Sequence, residues 1–298
     1  MHASKNKINA LYKKEEKTAW LMLLPNTLGL IIFVFIPIIF AFYISFHSWN
    51  GLTEMKFLGI KNYLKLFRDT AFLKSLLVTL KYALMYVPAI FFLSILFATL
   101  VHAITNKMQQ VVRTVIFFPY CVSAVISGLL WGFLFDPLNG YINQILRIVG
   151  LPSQAFLGDP KQALTCIAVT SVWINVGYNM IIMLAAIKDI PKDYYEAASI
   201  DGANAFQKFI KITLPQLKNA TSFVLVLSTI NSFQVFDQIK ILTSGGPNSS
   251  TTTTVYNIFQ QAFEQNKLGY ASAQAFILFI VLMILSLIQL KVMSAQES

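Results

Sequence analysis

The stretch YYEAASIDGANAFQKFIKITLP, residues 194–215, is a polar segment between two long apolar runs of a 298-residue chain. It contains a Glu-Ala-Ala triplet, a glycine at position 202 and a proline at position 215, and its apolar residues recur at helical spacing. A polar segment of this length in so apolar a chain predicts a folded element that faces water.

The composition places the rest of the chain in a membrane. Hydrophobic residues make up 56% of the sequence and charged residues only 12%, roughly half the charged share of a typical soluble domain. A helix that crosses a bilayer needs about 20 largely apolar residues. Six stretches meet this requirement: residues 20–44, 75–104, 112–135, 163–187, 221–242 and 270–292. The sequence therefore predicts an all-α integral membrane protein with six transmembrane helices.

The distribution of Lys and Arg predicts the orientation of these helices. Cationic residues in short loops near helix ends resist translocation, and an inside N-terminus puts the majority of the 23 Lys and Arg residues in the cytoplasm. The bias is modest because five cations crowd one outer segment: Lys56, Lys61, Lys65, Arg68 and Lys74. We expect both termini in the cytoplasm, and we take the net charge of +10 as a topology signal and not as a nucleic-acid interface.

Several classes of chemistry lack a sequence signal. The chain contains no G-x-x-x-x-G-K-[ST] motif, so it has no phosphate-binding loop with which to hydrolyse a nucleotide. Its three histidines do not have metal-ligand spacing. We therefore predict no catalytic site, no metal site and no cofactor bound by this chain.

The polar segment lies in the longest internal cytoplasmic loop of this topology, residues 188–218. At 100° per residue, Phe206, Phe209, Ile210, Ile212 and Thr213 gather on one side of residues 203–215, which predicts an amphipathic helix. Gly202 can adopt a positive φ and so predicts a bend between this helix and the one before it. Amphipathicity alone favours a membrane-surface hairpin that only links two spans.

The order of residues in the loop points to a more specific function. The loop resembles the cytoplasmic EAA loop of permease subunits of binding-protein-dependent ABC importers, and the residues that carry or support the resemblance are Glu196, Ala197, Ala198, Asp201, Gly202, Ala203, Phe206, Phe209, Ile212 and Pro215. Further stretches look like the carbohydrate-uptake branch, the maltose and glycerol-phosphate type: LLPNTLGLIIFVFIPIIFAFYISFHSW, FFPYCVSAVISGLLW, FQVFDQIKILTSGGPNSSTT and GYASAQAFILFIVL.

The resemblance implies a type I ABC importer transmembrane fold. It places a five-helix core at residues 71–292, after an N-terminal region, residues 1–70, that contains the first helix and an outer interfacial segment, and before a tail at 293–298. It implies that loop 188–218 seats in a separate cytoplasmic ATPase subunit. The expected partners are two such ATPase subunits, a second homologous permease in a heterodimer, an extracytoplasmic sugar-binding protein and a carbohydrate, all at a bacterial cytoplasmic membrane.

Polar side chains within the spans predict a solute path. Such residues are costly in lipid and usually face a bundle interior or water. Polar residues recur on one side of the third, fourth and fifth predicted helices, and aromatic residues near them could stack on a sugar ring. The candidate solute-path residues are Tyr120, Ser127, Trp173, Asn175, Tyr178, Asn179, Asn231, Phe233, Gln234 and Gln238. For any single residue of this set, hydrogen bonding between helices is the alternative.

The alternative function is an ion-coupled secondary carrier. Such a carrier usually shows inverted repeats or acidic residues at mid-membrane depth, and the sequence shows neither. The two functions differ in whether uptake requires an added ATPase and binding protein.

Overall fold

The computed structural model of the protein describes residue 16, residues 18–104 and residues 107–294. The predicted basic N-terminus, apart from residue 16, and the last four residues of the predicted tail lie outside the described residues. Contacts divide the chain into two compact units, one within residues 1–65 and 261–276 and the other within residues 66–260 and 277–298. The first turns of the last helix thus belong with the N-terminal unit, a grouping that no sequence pattern indicated.

The described part of the chain is built mainly from helices. In chain order the elements are α1 (Thr18–Ser45), β1 (His47–Ser48), β2 (Lys56–Phe57), α2 (Lys61–Leu66), α3 (Thr70–Ala103), α4 (Lys107–Phe117), α5 (Ala124–Leu134), α6 (Tyr141–Ile148), α7 (Ala163–Lys188), α8 (Lys192–Ile200), α9 (Ala205–Lys208), α10 (Leu214–Gln216), α11 (Lys218–Phe233), α12 (Asp237–Leu242), α13 (Thr254–Phe259) and α14 (Leu268–Ser294).

Four of these helices, α1, α3, α7 and α14, are long and apolar enough to cross a membrane, and the all-α membrane fold is confirmed. Helix α3 begins five residues before the predicted span because Asp69 caps it. The Asp69 carboxylate accepts hydrogen bonds from the amides of Ala71 and Phe72 at 2.9 and 3.2 Å. A side-chain acceptor at this position satisfies amides that the first helical turn leaves free.

The third predicted span is a bent pair of helices. Helices α4 and α5 meet at 98°, with a 3₁₀ turn, Phe118–Cys121, between them. Pro119 lacks an amide hydrogen for a continuous α-helix, and Val122 and Ser123 are extended. The end of α4 lies so close to Gly177 of α7 that a Cβ at this position would collide with the Ile116 carbonyl. The absence of a side chain at Gly177 therefore allows the close packing. If this bent pair counts as one span, the described part of the chain has five candidate membrane crossings; without it there are four.

The fifth predicted span is interrupted. Helix α11 ends at Phe233 and α12 begins at Asp237, so residues 234–236 are not helical. The Val235 carbonyl accepts a hydrogen bond from the Thr253 hydroxyl at 3.2 Å. Because backbone groups at membrane depth need an internal partner, this hydroxyl supports the break. A continuous helix through residues 221–242, as the hydropathy pattern suggested, is therefore wrong at these three positions.

The second unit has a continuous apolar core between α3, α7 and α11. Fully buried Ile90 packs in it with Ile167 and Met180, and Val224 joins from α11. A smaller cluster holds the later part of α14 against this core and contains Ala83, Phe233, Leu278 and Leu282.

The first unit is held by backbone and amide contacts around the end of α1. Strands β1 and β2 pair antiparallel, with His47 opposite Phe57. The buried Asn62 amide nitrogen donates to the carbonyls of Ser45 and His47 at 2.8 and 2.9 Å. The Gly269 amide, in the first turn of α14, donates to the Trp49 carbonyl at 3.2 Å. These bonds fix the two ends of the unit to one another.

Candidate functional site

The polar loop of residues 188–218 contains two short helical arms joined at Gly202. Gly202 has φ +75°, in the left-handed region that favours glycine. Its amide donates to the Ser199 carbonyl at 3.1 Å, and the Ala203 amide donates to the Ala198 carbonyl at 2.9 Å. This pair of bonds is the Schellman motif, which ends a helix while satisfying its last carbonyls. The predicted bend therefore lies where the sequence placed it.

The second arm begins with a reciprocal cap. The Asn204 side chain accepts from the Gln207 amide, and the Gln207 side chain accepts from the Asn204 amide, both at 2.9 Å. This capping box satisfies two amides that would otherwise lack intrahelical partners. The chain thus leaves one helix and enters the next with only a few residues between them.

Side chains tie the two arms together. The hydroxyls of Tyr195 and Thr213 lie 2.9 Å apart, and the Lys208 ammonium donates to the Ser199 hydroxyl at 2.7 Å. Thr213 is buried, whereas Ser199 is exposed. We call residues 191–217, with these internal bonds, the elbow.

The elbow exposes some apolar side chains and packs others. Ile200 and Phe206 are 87% and 72% exposed, whereas Phe209 and Ile212 are partly buried and Phe209 packs against the main core. The predicted single apolar face is therefore split. The reason is a π-helical segment at Phe209–Thr213, which changes the angular spacing on which the projection depends.

The remaining residues of the predicted coupling loop lie mostly at the surface. Glu196, Ala197, Asp201, Gly202 and Pro215 are exposed, and Ala198 and Ala203 are partly buried. The Glu-Ala-Ala edge of α8 is therefore open to contact from outside the chain.

A second candidate site is a polar cavity of about 230 Å³ within the second unit. Its wall brings together side chains from α3, α7 and the interrupted α11–α12 segment: Tyr82, Tyr86, Ser171, Asn175, Asn231, Gln234, Val235, Phe236, Asp237 and Gln238. Four predicted solute-path residues are among them, namely Asn175, Asn231, Gln234 and Gln238.

The other predicted solute-path residues do not line this cavity. The rings of Tyr120 and Tyr178 stack at 4.8 Å, and Trp173 meets Trp131 edge to face at 5.8 Å. Phe233 is buried in the cluster with Leu278 and Leu282 rather than presented to a solute. The remaining two are nearly inaccessible, Ser127 and Asn179.

The cavity can both donate and accept hydrogen bonds. The Asn175 amide nitrogen already donates to the Ser171 carbonyl at 2.8 Å, which leaves its side-chain oxygen as an acceptor. The buried Ser171 contributes a hydroxyl to the same wall, and a hydroxyl can both donate and accept. Asp237 is the one ionisable carboxylate in the wall, and the described lining contains no Lys, Arg or His. Such a wall suits an uncharged, hydroxyl-rich solute.

Sequence reasoning missed Tyr82, Tyr86, Phe236 and Asp237 as cavity residues. A signal for the two tyrosines was present, because Ser75, Thr79, Tyr82 and Tyr86 recur at helical spacing along α3. Their rings stack at 5.6 Å. Phe236 had no such signal, since its position depends on the break between α11 and α12.

The loop of residues 135–162 is folded around one buried amide. Asn143 donates to the carbonyls of Pro137 and Gln154 at 3.0 and 2.9 Å and accepts from the Gln154 amide at 2.8 Å. The loop therefore has a defined surface, formed in part by the exposed residues of α6.

The loop of residues 243–253 is cross-linked by threonine hydroxyls. The Thr251 hydroxyl lies 2.7 Å from the Thr243 hydroxyl and from the Gly246 carbonyl, and the Gly246-Pro247 peptide bond is cis. Among the described residues no cluster of three or more His, Cys, Asp or Glu could hold a metal ion.

Comparison with known proteins matches the chain over most of its length. Residues 31–296 match the family model described as "Binding-protein-dependent transport system inner membrane component". The probable ABC transporter permease protein YurN of Bacillus subtilis is 35% identical over 276 residues, 91% of this chain and 94% of that protein. The trehalose/maltose transport system permease protein MalF of Thermococcus litoralis is 32% identical over 288 residues, 96% of this chain and 97% of that protein.

Solved structures agree in fold. A chain of a bacterial ABC transporter involved in the import of the acidic polysaccharide alginate has a TM-score of 0.84 at 24% identity, covering 96% of this chain and 99% of that one. A chain of a bacterial alginate ABC transporter in complex with alginate pentasaccharide-bound periplasmic protein has a TM-score of 0.82 at 25% identity, covering 93% of each.

Proposed function

Because the chain belongs to the family of binding-protein-dependent transport system inner membrane components, we propose that it is the carbohydrate-conducting permease of an ATP-driven importer. In this proposal the importer core is residues 71–292 and both termini are cytoplasmic. The elbow docks on a separate ATPase subunit, so that ATP hydrolysis occurs outside this chain. The assembly contains two ATPase subunits, a second homologous permease and an extracytoplasmic sugar-binding protein.

The observation that carries the proposal is the elbow. It is braced internally by the Tyr195–Thr213 contact and the Lys208–Ser199 hydrogen bond, yet it leaves Ile200 highly exposed. Exposed aromatic and aliphatic anchors on a rigid support are typical of protein–protein contacts. A hairpin that only connected two spans would not need such bracing.

The elbow and the cavity are joined by one helix. Leu217, fully buried in the core, lies at the end of the elbow. Helix α11 then runs for 16 residues to Phe233, a length of about 24 Å at 1.5 Å per residue. Asn231 and Gln234 lie at its far end, on the cavity wall. A displacement of the elbow by an ATPase would therefore move the cavity wall directly.

The cavity chemistry supports a neutral carbohydrate. Amide and hydroxyl groups from three helices match the donors and acceptors of sugar hydroxyls, and the partly exposed ring of Phe236 adds an aromatic surface to the wall. Asp237 would repel an acidic solute in a wall without a described basic residue. Relatives of this chain are named for sugar transport, as in the trehalose/maltose system.

Cysteine labelling and cross-linking test the proposal. The exposed native Cys121 is replaced by Ser, and Ala197→Cys, on the exposed edge of α8, is introduced. In cells that import the solute, a membrane-impermeant maleimide should label Ala197→Cys only after the membrane is opened. A bifunctional reagent should then link this position to an ATPase subunit.

Ser153→Cys, on the exposed part of the loop 135–162, is the matched control. It should be labelled in intact cells and should not be linked to the ATPase subunit. Labelling of Ala197→Cys in intact cells, or uptake driven by an ion gradient with no ATPase present, would refute the proposal.

A further inference from the structure

A cleft in the first unit gathers three of the lysines that weaken the orientation signal, Lys56, Lys61 and Lys65. Its volume is about 460 Å³, and its cationic wall is formed by Lys56, Lys61, Lys65 and Lys267. Glu54 is the one acidic side chain in the described lining, and Trp49 and Tyr270 supply aromatic surfaces. The cleft therefore has a clear excess of positive charge.

The walls of this basic cleft are fixed by internal contacts. Asn62 lines the cleft and holds the end of α1 through its two hydrogen bonds to backbone carbonyls. The Gly269 amide binds the Trp49 carbonyl at 3.2 Å. The Lys65 ammonium lies 4.6 Å from the centre of the Tyr270 ring. A site with a fixed framework loses less conformational entropy when it binds a ligand.

The surroundings of the cleft are apolar and exposed. The segment that forms it also carries highly exposed hydrophobic side chains: Leu52, Phe57, Ile60 and Leu64. Lysines interleaved with exposed apolar residues are typical of a segment that lies in the membrane interface. Tyrosine and tryptophan are enriched at the same depth, where phospholipid headgroups lie.

The proposed orientation of the chain decides which leaflet is involved. The cleft is built from the connection after α1 and the connection before α14, and the elbow lies in the connection after α7. If α4 with α5 and α11 with α12 each count as one crossing, the proposed cytoplasmic termini put the first two connections outside the cytoplasm and the elbow inside. The leaflet assignment thus rests on the proposed function, whereas the charge and shape of the cleft do not.

We propose that the basic cleft binds the phosphate of an anionic phospholipid in the outer leaflet. Ammonium groups are compact donors for phosphate oxygens, and the apolar flank would contact the acyl chains of the same lipid. The acidic surface of a soluble protein would use the lysines but leave this apolar flank without a role. Three of the five cations in this outer segment, Lys56, Lys61 and Lys65, then belong to a lipid site and do not contradict the orientation.

Lipid binding to the full-length chain in detergent tests this inference. The unfolding midpoint is measured against added phosphatidylglycerol, phosphatidylcholine, or soluble glycerophosphoglycerol, which has the headgroup without acyl chains. Phosphatidylglycerol should stabilise the parent chain most. The variant Lys61→Gln with Lys65→Gln should bind it roughly 25-fold more weakly, about fivefold per lysine removed.

The matched control removes two cations of the same segment that do not line the cleft, Arg68→Gln with Lys74→Gln, and should bind phosphatidylglycerol like the parent. If the cleft variant does not fold, native mass spectrometry of the single variant Lys56→Gln counts the bound lipid instead.

Equal phosphatidylglycerol binding by the cleft variant and the control would overturn the inference. Stabilisation by phosphatidylcholine equal to that by phosphatidylglycerol would also overturn it. Equal stabilisation by the soluble headgroup would overturn it too and would indicate that the cleft binds a free phosphate-bearing solute. None of these measurements involves transport, so a failure here is separate from a failure of the proposed function.

Discussion

At the scale of single residues, Gly202 shows how one backbone angle shapes the elbow. Its φ of +75° and the two hydrogen bonds around it end α8 and direct the chain into α9. A Cβ built at Gly202 would meet no atom within 4 Å. The restriction at this position is therefore the backbone conformation and not lack of space.

Replacing Gly202 tests this distinction. Valine is β-branched, and holding it in the left-handed region costs about 1–3 kcal/mol. We expect Gly202→Val to reduce ATP-coupled uptake in reconstituted vesicles while ATP hydrolysis continues. Gly202→Asn is the control, because asparagine adopts positive φ more readily, and it should retain most of the uptake. Full coupled uptake by the valine variant would show that the bend does not matter for coupling.

At the scale of secondary-structure elements, the break between α11 and α12 is the feature that hydropathy concealed. The apolar run continues through residues 221–242, so the sequence predicts one helix. The structure interrupts it, and the Thr253 hydroxyl binds the freed Val235 carbonyl. The donor and the acceptor are eighteen residues apart in sequence, so the contact cannot be predicted from the periodicity of one helix.

Removing that hydroxyl should destabilise the break. Thr253 is fully buried, and Thr253→Val nearly preserves its shape while leaving the Val235 carbonyl without this donor. We expect a loss of about 1–3 kcal/mol of stability, seen as a lower midpoint of thermal unfolding in detergent.

The control for this variant is Thr221→Val on α11. The buried Thr221 hydroxyl has no hydrogen-bond partner among the described residues, so its removal should leave the unfolding midpoint nearly unchanged. Similar midpoints for the two valine variants would mean that the Thr253 hydrogen bond does not support the break.

At the scale of the whole molecule, the proposed solute path depends on helices that are far apart in sequence. Tyr82 comes from α3, Asn175 from α7, and Asn231 from the end of α11, and they meet at one cavity within the second unit. Of the polar stripes that periodicity predicted, α7 brings Asn175 to the cavity wall and α11 brings Asn231. Periodicity also predicted a polar stripe on the bent α4–α5 pair, whose Tyr120 stacks on Tyr178 and does not line this cavity.

A substitution in the cavity wall tests the solute path. Asn231→Ala removes one donor and one acceptor, and each neutral hydrogen bond to a solute contributes about 1 kcal/mol. We expect the KM for solute uptake, measured with saturating binding protein, to rise about fivefold or more. Asn219→Ala, on the same helix but outside the cavity wall, should leave the KM unchanged. An unaltered KM in the Asn231 variant would exclude this residue from the path.

The sequence by itself determined the membrane class, four long apolar helices, and the position of the elbow with its bend at Gly202. These features follow from local chemistry, since apolar run length, capping residues and a glycine at positive φ act within a few residues of one another. Tertiary structure alone decided which polar side chains share the cavity, where α11 breaks, which elbow residues are exposed, and that Lys56, Lys61, Lys65 and Lys267 line one cleft. Each of these four features depends on contacts between segments that are distant in sequence. The period of a single helix predicts the side of the helix on which a residue lies, but it does not predict which residue of another segment that side chain contacts.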